Sequence, residues 1–148
     1  MLNVNFPEPS FRIRRQEGAE EIFDALRKKW IRLTPEEWVR QNLVAWLQAE
    51  VKIPAAFIAI EKTLQIGDKT RRFDLLAYNQ QHQPHLLVEC KAMDVPLSEK
   101  VLQQALSMFS VVPASFVLIS NGQQTMVWYA SGGRYEALEA LPSFENWQ

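Results

Sequence analysis

Asp74, Glu89 and Lys91 are the residues whose types and spacing are suited to chemistry. The segment HLLVECKA, residues 85–92, has the continuous apolar character of a buried strand, yet it sets a carboxylate and an ammonium group one residue apart near its end. An antiparallel partner is at hand in RRFDLLAY, residues 71–78. With a loop at residues 80–83 and Asn79 opposite Pro84, Asp74 falls opposite Glu89 and Arg72 opposite Lys91. Alternation then puts Asp74, Glu89 and Lys91 on one face of the sheet, and Leu86, Val88 and Cys90 on the other. Facing carboxylates destabilise a sheet unless one is protonated or a cation neutralises them. Lys91 supplies one positive charge, and a divalent ion held by oxygen ligands supplies two. Carboxylates that hold Mg2+, or Mn2+ in its place, beside a lysine that orients water or steadies developing negative charge, are what metal-assisted phosphodiester hydrolysis requires. Arg71 and Arg72 immediately precede the acidic position, where one can contact a phosphate flanking the scissile bond. The structural alternative is a salt-bridged cluster at a sheet end.

The elements that must position these groups can be read from punctuation and periodicity. TPEE at residues 34–37 offers Thr34 as N-cap, Pro35 at the first helical position and Glu37 to close a capping box. Val39, Leu43, Trp46, Leu47 and Val51 follow at helical spacing, so a helix is expected through about residue 50, with Pro54 beyond its end. FIAIEKTLQI (57–66), RRFDLLAY and HLLVECKA are three strands of an antiparallel meander, joined by the turn-like GDK and NQQHQP. From Ser98, apolar residues at 101, 102, 105, 106 and 109 mark a second amphipathic helix with a serine cap. SFVLIS (115–120) and TMVWYA (125–130) are two further strands around the turn NGQQ. Near the N-terminus, FRIRR (11–15) and KKWIRL (28–33) suggest a small antiparallel pair. The order points to an α/β or α+β layered fold. One domain over 1–148 is expected, with a β extension at 1–33 and a core at 34–148.

A chain of 148 residues, 47% hydrophobic, can bury one sizeable core. Its single cysteine, Cys90, excludes an internal disulfide and multi-cysteine metal sites, which fits a reducing compartment. No cleavable leader and no membrane-length apolar run is evident, so a cytoplasmic protein without a membrane partner is expected. Sixteen basic against seventeen acidic residues give a net charge of −1, which makes no global case for nucleic-acid binding. Any such case is local.

FD at 73–74, fourteen intervening residues and then ECK at 89–91 resemble the Asp…Glu-x-Lys signature of the PD-(D/E)XK, restriction-endonuclease-like nucleases. The element order resembles that superfamily's α-β-β-β-α-β core. LTPEEWVRQNLVAWL, IAIEKTLQI, RRFDLLAYN, LLVECKA and FVLISNG, taken in order, look like the N-terminal nuclease domain of type I restriction enzyme R subunits in a short stand-alone form. The resemblance implies a Mg2+-dependent DNA endonuclease, with Asp74 and Glu89 as metal ligands and Lys91 acting on water. It also implies an acid on the first helix as a further metal contact, for which Glu36, Glu37 and Glu50 are candidates and Glu37 is preferred. Some branches carry a Gln-x-x-x-Tyr motif on the helix after the Glu-x-Lys strand; Gln104 matches its first position, and Met108 stands where the tyrosine is expected. DNA is the implied partner, together with modification and specificity subunits acting in trans. The chain has no G-x-x-x-x-G-K-[ST] phosphate loop, so it is not the translocating motor. Double-strand cleavage by a one-site domain needs two copies, which suggests a homodimer.

Other polar and aromatic residues have plainer readings. Cys90 faces away from its charged neighbours as a small core residue, and His82 and His85 lack a partner for catalysis or metal binding. The five tryptophans are expected in the core, and RIRR, RKK and KTRR on solvated edges. The rival function is a catalytically inactive module of the same fold, used for nucleic-acid binding or assembly. A third is an enzyme of that fold acting on branched DNA or RNA.

Overall fold

The computed structural model of the chain describes residue 2, residues 4–6 and residues 11–148, so the start of the expected β extension lies partly outside the described residues. Helix α1 (Pro35–Trp46) begins at Thr34, whose Oγ1 accepts the Glu37 N–H at 3.0 Å. One π-helical turn, Leu47–Val51, extends it, and Lys52 closes it in the left-handed conformation at φ 68°. Val39, Leu43, Trp46, Leu47 and Val51 are all buried, as their spacing required. Helix α2 (Glu99–Phe109) is capped by Ser98, whose Oγ accepts the Val101 N–H at 3.3 Å.

The strands β4 (Ile58–Ile66), β5 (Lys69–Tyr78) and β6 (Pro84–Cys90) form the expected antiparallel meander. Strand β7 (Phe116–Ser120) lies parallel to β6, which requires a crossover, and α2 supplies it. Strand β8 (Thr125–Ser131) and β9 (Arg134–Leu138) complete a six-stranded mixed sheet in the order β4-β5-β6-β7-β8-β9. The core is thus α+β, in the expected order α-β-β-β-α-β with two strands appended.

The helices cover opposite faces. Val39, Leu43 and Leu47 of α1 pack with Leu75, Leu86, Val88, Cys90 and Leu118, while Ala105 and Phe109 of α2 pack with Phe73, Leu76, Leu87, Val117 and Ile119. Strands β5 to β7 are therefore covered on both faces, which is why they read as near-continuous apolar runs. Each fully buried Leu, Val or Phe contributes roughly 1.5–3 kcal/mol to that layer.

The structure corrects three expectations. FRIRR and KKWIRL do not pair with each other: β1 (Ile13–Gln16) and β3 (Lys29–Arg32) each pair with an intervening strand β2 (Ala19–Asp24). Glu17 and Gly18 both have positive φ, 53° and 77°, and form the two-residue turn that sends the chain straight back. Strand β9 was not expected, although Gly132 and Gly133 make the same kind of turn before it. In the β5–β6 hairpin, Leu75 to Ala77 face Val88 to Leu86 as expected, but an irregularity between Ala77 and Tyr78 sets Tyr78, not Asn79, opposite Pro84. Asn79 instead caps the loop, its Oδ1 accepting the N–H groups of Gln81 and Gln83, each at 3.0 Å.

Candidate active site

Asp74 sits where β5 changes the face it presents. Phe73 packs with the α2 cluster and Leu75 with the α1 cluster, although they are two residues apart. Across from Asp74, Glu61 of β4 is in a left-handed conformation at φ 52°, while Ile60↔Leu75 and Lys62↔Phe73 pair in register on either side. A non-glycine residue in that region signals local strain held by its surroundings. The Asp74 carboxylate is freed from simple alternation and reaches two neighbours. Its Oδ2 accepts the Cys90 N–H of β6 at 2.7 Å, and its Oδ1 accepts from Arg40 Nη2 of α1 at 3.1 Å.

Glu89 lies against Asp74 with its side chain only 17% exposed, and Lys91 Nζ approaches its Oε1 at 3.7 Å. Burial pushes the Glu89 carboxyl up to about 8, the neighbouring Asp74 charge and hydrogen bond adding to the effect and Lys91 opposing it. The structure thus brings Asp74, Glu89 and Lys91 together. It does not set Lys91 opposite Arg72: the Lys91 N–H donates to the Ser120 carbonyl at 2.8 Å, so the chain leaves β5 and follows β7.

Arg40, which the sequence reading did not single out, is the centre of the charged cluster. Its side chain is 7% exposed and meets Glu37 Oε1 at 2.5 Å, Glu36 Oε1 and Asp74 Oδ1 at 3.1 Å, and Glu61 Oε1 at 3.3 Å. Despite its burial, the charges of Glu37 and Asp74 hold the guanidinium above its ordinary value. Behind it, Arg27 bridges Asp24 at 2.6 Å and Glu37 at 3.1 Å, and Gln41 Nε2 donates to the same two carboxylates. Arg72 pairs with Glu61, and Arg27 and Arg40 reach that carboxylate too. Those cations depress the Glu61 carboxyl, outweighing the rise from burial. The sequence signal was present in the i,i+3 and i,i+4 spacing of Glu37 and Glu36 from Arg40, but such pairs ordinarily mark a solvated helix face.

Other candidates take different places. Glu37 does not reach the Asp74–Glu89 pair: both its oxygens are engaged by Arg27, Arg40 and Gln41, and its carboxylate does not close the capping box. Glu36 is the first-helix acid that senses the centre; burial, and then the Asp74 charge, raise its carboxyl, with Arg40 and Lys91 opposing. Glu50 is exposed on the π-helical turn at the other end of α1. Gln104 is exposed on α2, while Met108 packs partly against the apolar cluster below. Arg71 donates to the Thr70 carbonyl, and the Arg72 side chain remains 64% exposed beside Glu61. Cys90 is buried and its thiol is raised, first by burial and then by Asp74. His85 packs at tilted angles against Phe116 and Trp147, burial lowering its imidazole, and His82 stacks on Phe57.

Six carboxylates (Asp24, Glu36, Glu37, Glu61, Asp74 and Glu89) meet four cations (Arg27, Arg40, Arg72 and Lys91) in this one connected cluster. At the Asp74–Glu89 end, burial and then the neighbouring Asp74 charge raise the Glu89 carboxyl despite the Lys91 ammonium 3.7 Å away. Among the described residues no group of three or more His, Cys, Asp or Glu side chains is disposed to hold a metal. A two-carboxylate site suits Mg2+, which takes one or two protein carboxylates and fills its remaining positions with water and substrate phosphate.

A search of curated proteins gave no match. Among solved structures, a candidate nuclease belonging to DUF820 from Anabaena variabilis is 13% identical, with 86% of this chain and 80% of that one covered at a TM-score of 0.48. No helix among the described residues is long and apolar enough to cross a membrane. The family described as Type I restriction enzyme R protein N terminus (HSDR_N) matches residues 35–142, a span that begins with α1, ends beyond β9 and contains Arg40, Asp74, Glu89 and Lys91. The chain belongs to the family of type I restriction enzyme R protein N-termini.

Proposed function

We propose that the chain is a Mg2+-dependent DNA endonuclease domain that hydrolyses phosphodiester bonds at the centre formed by Asp74, Glu89 and Lys91. The observation that carries this reading is the contact of two carboxylates on adjacent strands, one of them raised to about 8, with an ammonium group 3.7 Å away. Asp74 and Glu89 would hold the divalent ion, and Glu36 stands near enough to feel both Asp74 and Lys91. A bound Mg2+ supplies Lewis-acid polarisation of a phosphoryl oxygen and makes a coordinated water more acidic. Asp74 is fixed by the Cys90 N–H and by Arg40, so its carboxylate is oriented before any substrate arrives. Glu89, whose carboxyl burial raises, would have to lose its proton to serve as a ligand. Lys91, 35% exposed at the rim, orients the attacking water or stabilises charge on the phosphoryl oxygens. Arg72, and Arg71 beside it, offer their guanidinium groups to a flanking phosphate.

A second reading has one observation in its favour: both Asp74 oxygens already have partners, Arg40 and the Cys90 N–H. On that reading the centre is a closed ion cluster in a non-catalytic module for DNA binding or for assembly with restriction–modification subunits. Cleavage of supercoiled plasmid and of single-stranded DNA in Mg2+, Mn2+ or EDTA separates the two. Metal-dependent nicking that Asp74→Ala abolishes, and that Lys91→Ala slows by about 10²–10³-fold, is the expected result. No cleavage of any substrate with either metal would leave the module reading.

A further inference from the structure

Beside the charged centre lies a cavity of about 420 Å3 lined by Leu33, Thr34, Pro35, Trp38, Met93 and Asp94. It shares the first turn of α1 with Glu36 and begins two residues beyond Lys91 along the chain. Its lining is apolar and aromatic, apart from a threonine and one exposed carboxylate, Asp94. Met93 is 37% exposed, unusual for a large apolar side chain here, and it is held in place from below. Gly122 has φ 88°, and a Cβ at that position would lie 3.3 Å from both Met93 Cγ and Val39 Cγ2. The turn after β7 therefore approaches Met93 closely, and its positive φ favours the glycine found there. Asn121 Nδ2 adds a hydrogen bond to the Val95 carbonyl at 2.8 Å, and the Val95 N–H closes a turn onto Ala92 at 3.0 Å. On the other wall, Trp38 is half-buried and braced edge-on by Phe11 at 5.5 Å between ring centroids.

We propose that this cavity receives the nucleobase next to the phosphate presented to Lys91, with Trp38 and Met93 against its faces and Asp94 accepting from an exocyclic amino group. The proposal rests on the nuclease reading for the identity of the ligand, and it adds a subsite to that reading. Its volume lies within the range of about 300–1,000 Å3 that small ligands occupy. An indole face is a general partner for any base, and a carboxylate acceptor favours adenine, cytosine or guanine, which carry amino groups, over thymine. The centre itself recognises phosphate and metal and is indifferent to base identity. The cavity supplies the base-dependent term that the centre lacks.

The test is binding of short single-stranded oligonucleotides in EDTA, where cleavage cannot occur, read by intrinsic tryptophan fluorescence and by anisotropy of a labelled strand. The wild-type protein is expected to bind oligo-dA or oligo-dC about tenfold more tightly than a backbone-only abasic oligomer of the same length, with quenching of tryptophan emission. Trp38→Phe should keep most of the affinity while losing the quenching. Trp38→Ala should weaken binding about tenfold, and Asp94→Ala should erase the preference for dA and dC over dT. Equal binding of the abasic and base-bearing strands by the wild-type protein, a comparison needing no variant, overturns the proposal, as does failure to bind any strand. Base-dependent binding without cleavage in any metal would refute the nuclease reading and leave the cavity assignment standing. Cleavage with no dependence on Trp38 or on the flanking base would refute only the cavity.

Discussion

The two helices are capped alike and used differently. Both begin with a hydroxyl that accepts an N–H three residues on, Thr34 for α1 and Ser98 for α2, and both lay an apolar stripe on one face of the same sheet. Helix α1 also buries Glu37, Arg40, Gln41 and Asn42, whereas the polar residues of α2, Gln103 and Gln104 among them, stay exposed. Burying a charge is costly unless it is paired and hydrogen-bonded. The Arg40 guanidinium is surrounded by four carboxylates, yet among the described residues its buried Nε has no partner. The difference teaches that α1 is a wall of the charged cluster and α2 is packing. A polar residue at core spacing on a helix is the more informative signal of the two.

Substitutions test that contrast, the largest effect first. Arg40→Ala leaves the buried Glu37 and the half-buried Asp74 without their main counterion and should cost about 3–5 kcal/mol, measured by urea unfolding. Gln104→Ala at the corresponding surface of α2 should change stability by no more than about 0.5 kcal/mol. A loss below about 1 kcal/mol for Arg40→Ala would break the contrast. Next is the pH dependence of metal-free stability. The folded Glu89 carboxyl, at about 8, binds its proton more tightly than in the unfolded chain. Its contribution is therefore fully present below the ordinary carboxylate range and is lost as pH rises through about 8. Thermal melts should show the wild type weakening by up to about 4 kcal/mol between pH 5 and pH 9, and Glu89→Gln should flatten that decline. The smallest effect sharpens the contrast by removing what the helices share: Thr34→Ala and Ser98→Ala should each cost about 1 kcal/mol. Equal costs there would show that the caps do not distinguish the helices, and that the buried charges of α1 do.

Much of this arrangement was legible before the structure. The apolar spacing of α1 and α2 and the meander of β4 to β6 followed from local pattern, because both faces of the central strands are buried and both helices have a single apolar stripe. The neighbourhood of Asp74 and Glu89 followed from hairpin register, which held from Leu75 to Ala77 even though the loop end slipped by one residue. What alternation could not supply was the change of face at Asp74, since it depends on the conformation of Glu61 in the next strand. Glu36 rather than Glu37 feels the Asp74 charge for a similar reason. Their separation around the helix is fixed by sequence, but which one lies toward Asp74 depends on how α1 is rotated over the sheet. Asp24 ends β2 and Arg27 lies in the turn after it, and β2 was not among the expected strands, so their part in holding Glu37 could not be foreseen. The Gly132–Gly133 pair before β9 is itself a hairpin-turn signal in the sequence.

The central claim is that the Asp74–Glu89 pair is a cation site and not only an ion cluster closed by Arg40. Calorimetric titration of the protein with Mn2+ at pH 7, repeated in two buffers of different ionisation enthalpy, addresses it directly. The account predicts saturable binding with release of close to one proton per ion, as Glu89 passes from acid to ligand, and loss of both in Asp74→Ala. Absence of binding heat in the wild-type protein, or binding that survives Asp74→Ala with no proton released, would contradict it.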